Sequence, residues 1–65
     1  MTQYGQKLLD YIHSNQSIRY TAQEIFLDPK SNFENIDNVI KAIHELANEG
    51  IVSLNNDLGT GFEVI

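Results

Sequence analysis

The chain has 65 residues, nine acids against four bases for a net charge of −5, and no cysteine. That length allows one domain, whose core buries only about 60% of the surface the unfolded chain exposes. The missing thiols exclude a disulfide framework and thiolate metal sites and fit a reducing, cytoplasmic compartment. The longest apolar run, Ile25-Phe26-Leu27, is too short for a membrane span or a signal-peptide core.

Thr2 is placed to cap a first helix from about Gln3 to Ser14, with Tyr4, Leu8, Tyr11 and Ile12 as its inner stripe. Leu9 lies on the shoulder of that stripe, and Gly5 weakens the first turn. His13 sits in the last turn, where partial positive charge suits the helix dipole, and Asn15 can take the left-handed stop. Ser17-Ile18-Arg19-Tyr20 alternates apolar with polar residues and reads as a short extended segment. Thr21-Ala22-Gln23-Glu24 has the form of a capping box opening a short helix through Leu27. Asp28-Pro29 ends that helix, because the residue before proline avoids helical geometry. A loop from Lys30 to Phe33 follows, with Phe33 expected to tuck inward.

The most strongly patterned stretch runs from Ser31 to Leu54. Ile36, Val39, Ile40, Ile43, Leu46 and Ala47 recur at three- and four-residue spacing, the period of one helix face. Ser31 with Glu34 forms a second potential capping box, and Asn35 competes with it as the N-cap. Gly50 can close the helix in the left-handed conformation. Ile51–Leu54 and Phe62–Ile65 read as two strands, joined by Asn55-Asn56-Asp57-Leu58-Gly59-Thr60-Gly61, turn formers that tolerate positive φ.

Two stretches carry a family resemblance: Thr21-Ala22-Gln23-Glu24-Ile25, and Ile43-His44-Glu45-Leu46-Ala47-Asn48-Glu49-Gly50-Ile51-Val52. The second resembles the run of leucine, three residues, glycine and two aliphatics that joins the recognition helix to the wing in many bacterial regulators. Gly59-Thr60-Gly61 resembles the wing turn. In element order the chain is similar to the winged helix-turn-helix, over nearly its whole length. The resemblance implies an α+β fold, a minimal winged helix with three helices, a short strand after the first, and a C-terminal hairpin wing. It also implies a third helix that enters the major groove and a hairpin along the backbone or minor groove. The connection between helices two and three is longer than the tight turn of that family.

Double-stranded DNA is therefore one expected partner, with Lys30, Ser31, Asn35, Asn38 and Lys41 as the contacts. Steps of 100° put Asp37, Asn38, Lys41, Glu45 and Asn48 on the outer face of the third helix. Asparagine amides can pair with adenine edges, but near a helix start asparagines are more often caps. Lys30 and Ser31 precede the helix, where backbone donors favour phosphate. The charge map opposes this reading. Duplex binding draws on phosphate neutralisation, yet Asp37 and Glu45 flank Lys41 at four-residue spacing, and residues 51–65 hold no lysine or arginine.

The competing expectation is an acidic protein-interaction module on the same scaffold. It would bind a partner protein through its acidic helix face, or a partner or second copy through an apolar patch near Leu9 and Leu58. No membrane contact, small-molecule substrate, cofactor or metal is expected. His44-Glu45 lacks the second histidine of an H-E-x-x-H site, and there is no nucleophile elbow and little room for a water-excluding cleft. An enzyme is not expected.

Overall fold

The computed structural model describes residues 1–55 and 60–65. The chain is α+β: three helices and a three-stranded antiparallel sheet. In order these are α1 (Gln3–Asn15), β1 (Arg19–Thr21), α2 (Ala22–Leu27), a 3-10 turn (Pro29–Ser31), α3 (Ile36–Asn48), β2 (Val52–Leu54) and β3 (Gly61–Val64).

Each helix start has a local cause. Thr2 caps α1, its hydroxyl accepting the Gly5 N–H at 3.4 Å. The Thr21–Glu24 capping box forms in full. The Thr21 N–H donates to Glu24 Oε1 at 2.8 Å, and the Glu24 N–H donates to Thr21 Oγ1 at 3.2 Å. For α3 the expected box of Ser31 and Glu34 does not form. Asn35 is the N-cap, its Oδ1 accepting the Asn38 N–H at 2.9 Å. Ser31 instead belongs to the preceding 3-10 turn, where its backbone N–H and its hydroxyl both donate to Asp28 O.

Stop signals follow the same logic, with one displacement. Gln16, not Asn15, takes the left-handed position after α1, at φ 56°. Asn15 stays helical because its side-chain amide donates to Tyr11 O at 2.8 Å. Gly50 adopts φ 77° and turns α3 into β2. At that angle a Cβ would strain the backbone, although the space around it is open.

The sheet runs β1-β3-β2, so the strand last in sequence is central. Tyr20 and Leu54 both flank Phe62, and Arg19 and Ser53 both flank Glu63. The first set faces the helices and the second faces away. Phe62 is fully buried and stacks on Tyr20, with ring centroids 5.3 Å apart, while Tyr11 meets Tyr20 edge-on at 6.0 Å. This aromatic column ties α1, β1 and β3 together. α1 packs on α3, and α3 on α2 and β2. The buried residues of α3 are Val39, Ala42, Ile43 and Leu46, while Ile36, Ile40 and Ala47 are half-buried beside them. The expected stripe is thus rotated slightly, toward Ala42.

Candidate functional site

Four cationic side chains can meet an anionic partner, and the fold distributes them unequally. Lys41 is exposed on α3 and makes no ion pair among the described residues. Glu45, expected to screen it from one turn away, is held elsewhere. Thr2 donates its backbone N–H to Glu45 Oε1 and its hydroxyl to Oε2. These bonds join the start of α1 to the middle of α3. They also explain Gly5, where a Cβ would come within 2.7 Å of Glu45 Oε1. The glycine that reads as a weak first turn is the gap through which this carboxylate reaches Thr2.

Lys30 is exposed at the 3-10 turn, its backbone N–H donating to Asp28 Oδ1 at 2.9 Å. Lys7, whose position no local pattern in the sequence ties to Lys30, lies near it. Both line a polar cleft of about 320 Å³ between α1 and the turn, shared with Asp10, Tyr11, Ser14 and Asn15. Lys7 Nζ donates to Asn32 O at 2.8 Å and sits over the Phe33 ring, 5.4 Å from its centroid. No periodicity signals this pairing. It depends on Asn32 turning left-handed at φ 58° to present its carbonyl. Arg19 is the remaining base, exposed, 3.7 Å from Glu63 across the sheet; exposed pairs of this kind contribute little.

The expected contact residues are therefore not equivalent. Ser31 is 4% exposed and both its donors are engaged, which withdraws it from the surface. Asn35 is exposed, but its Oδ1 is engaged as the cap, leaving the Nδ2 donors. Asn38 is half-buried. Of the two leucines expected in a partner patch, Leu9 is half-buried against the core, and Leu58 lies outside the described residues. The more exposed apolar side chains are elsewhere. Ile18 (65%) and Ile65 (79%) border, with Ile12 and Val64, an open groove of about 510 Å³ between the end of α1 and the sheet.

Two carboxylates are shifted by these contacts. Glu45 is held below its usual range, first by the Thr2 hydroxyl and then by the Thr2 N–H. Asp28 is lowered by the Lys30 N–H and then by the Tyr11 hydroxyl, which donates to it at 2.7 Å. Tyr11 is in turn pushed up to about 12, by burial first and then by its bond to Asp28. A depressed carboxylate stabilises the fold above its unfolded pKa, and that contribution is lost as pH falls through the folded value. The melting temperature should therefore hold from neutral pH down to the ordinary values of 4.5 and 3.8 for these two groups, and drop below them. In thermal melts at graded pH, Glu45→Gln and Asp28→Asn should each flatten that drop. The Tyr11 contribution has the opposite sign, present below pH 10 and lost as pH rises through about 12.

Among the described residues no group of three or more histidine, cysteine, aspartate or glutamate side chains could hold a metal ion. No described helix is long and apolar enough to cross a membrane. Compared with protein-family models, curated proteins and solved structures, the chain matches none.

Proposed function

We propose that the chain is a winged-helix module that contacts duplex DNA weakly, in transcriptional control, with α3 as the groove-facing helix. Lys41 carries this reading. It is exposed on α3 without an ion-pair partner among the described residues, and of the two carboxylates that flank it at four-residue spacing, Asp37 and Glu45, the second is bound to Thr2. Lys30 joins it as a phosphate contact, now with Lys7 from the shared cleft. The amides of Asn35 and Asn38 can donate to base edges or phosphate. The helix order and the β1-β3-β2 sheet agree with this assignment at the level of fold alone, which is an associational argument.

Three lysines against a net charge of −5 make a thin footprint, so binding is weak and gains from a partner that concentrates it. A titration against random duplex tests the reading. Two or three phosphate contacts should lower the affinity roughly ten- to fortyfold between about 50 and 200 mM salt. No binding at the lower salt would sink it.

The alternative, a protein-interaction module that does not touch DNA, is favoured by one observation. Ile18 and Ile65 stand exposed beside Ile12 and Val64 in the groove at the end of α1, a setting that suits apolar side chains of a partner. Absence of DNA binding would make that groove the surface to pursue.

A further inference from the structure

The two edges of the sheet are finished differently. In an antiparallel ladder, alternate residues of an edge strand point their backbone groups toward the neighbouring strand and away from it. On β1, Ile18 O accepts from Val64 N–H and the Ala22 N–H donates to Thr60 O, so Arg19 and Thr21 face outward. Side chains close that edge. The Ser17 hydroxyl donates to Arg19 O at 3.3 Å, and the Thr21 N–H is taken by Glu24 of the capping box.

On β2 the Asn55 N–H donates to Gly61 O and the Ile65 N–H to Ile51 O, so Ile51, Ser53 and Asn55 face β3. Val52 and Leu54 then point their N–H and C=O groups away from the sheet. No side chain or backbone group among the described residues meets them. Leu54 is also 37% exposed. An open row of this kind is a template for another strand.

We propose that two copies of this chain pair antiparallel through β2, about a twofold axis at Ser53. This does not rest on the DNA reading. Three observations select a second copy as the occupant. First, the register is self-complementary: Val52 of one copy meets Leu54 of the other in a hydrogen-bonded pair, and the axis repeats it. Second, residues 50–56 carry no charge, so two acidic chains meet at a neutral edge. The nearest carboxylate on the outer face, Glu63, is already beside Arg19 at 3.7 Å. Third, Leu54 lies on the core face of the sheet, where the pairing brings it beside Val52 of the second copy. A three-residue strand joins the copies over a small area, so the dimer is weak and reversible.

The register gives a sharp test. Ser53 would face itself across a non-hydrogen-bonded pair, with Cα atoms about 4.5 Å apart, within the range a disulfide spans. Because the chain has no native cysteine, Ser53→Cys can be cross-linked cleanly. Under mild oxidation it should form a disulfide dimer on the order of tenfold faster than Asn48→Cys, an exposed control on α3. Equal rates would overturn the proposal. Ser53→Lys would pair with Glu63 within its own chain but oppose itself across the axis. In sedimentation equilibrium the unaltered chain should rise from 7.4 kDa toward twice that mass with concentration, and Ser53→Lys should stay monomeric with its thermal melt preserved. An unaltered chain that remains monomeric at millimolar concentration would also overturn the proposal, and would leave the edge to a foreign strand.

Discussion

Phe62→Ala should leave the chain largely unfolded at 25 °C. Phe62 is fully buried at the centre of the middle strand, stacked on Tyr20 and flanked in register by Leu54. Truncating a buried phenylalanine costs about 3–5 kcal/mol in lost transfer energy and cavity. The stacking adds roughly 0.5–1.5 kcal/mol beyond burial. A chain of this length has a total stability of roughly 3–10 kcal/mol, so the loss is of the same order as the whole. Circular dichroism melts of the variant read this directly. A cooperative transition at the temperature of the unaltered chain would mean that the aromatic column does not hold α1 to the sheet.

Lys41→Glu should abolish DNA binding under the proposed function while the fold survives. The change removes one of three cationic contacts and places a carboxylate on the helix face offered to phosphate, between Asp37 and Glu45 at four-residue spacing. On an exposed position the stability cost stays within about 0.5–1 kcal/mol. Duplex titration and a thermal melt on the same sample separate the two effects. If binding is unchanged, α3 is not the phosphate-facing helix, whatever the other lysines do.

Elements whose causes lie within four residues could be read from the sequence. The Thr21–Glu24 box, the Thr2 cap and the turn at Gly50 each place donor, acceptor and backbone conformation inside one turn of chain. The sequence is ambiguous where local rules are satisfied twice over. Ser31 and Asn35 both fit an N-cap, and the choice fell to Asn35 because Ser31 is enclosed in the 3-10 turn set by Pro29 and Asp28. Asn15 and Gln16 both stand at the end of α1, and the Asn15 amide bond to Tyr11 O kept it helical. The candidate surface was harder to read, since its electrostatics depend on contacts far apart in sequence. Glu45 lies 43 residues from Thr2, and Lys7 lies 25 from Asn32. Periodicity places a side chain on a face, but it does not report which distant group it is bonded to. For the same reason the neutral β2 edge is visible only once the ladder shows which backbone groups point outward.

The position of β3 in the middle of the sheet sets a timetable for the chain during synthesis. β1 and β2 never touch each other as neighbours; each is completed only by residues 61–64. Until those residues leave the ribosome, Tyr20 lacks its stacking partner and Leu54 its register partner, and both outer strands are loose ends. Helical segments can form locally and early, but the long-range pairing that makes the fold cooperative waits for residues 61–64. A chain truncated before Gly61 would therefore leave both outer strands unpaired and expose its apolar helix faces to chaperones and proteases.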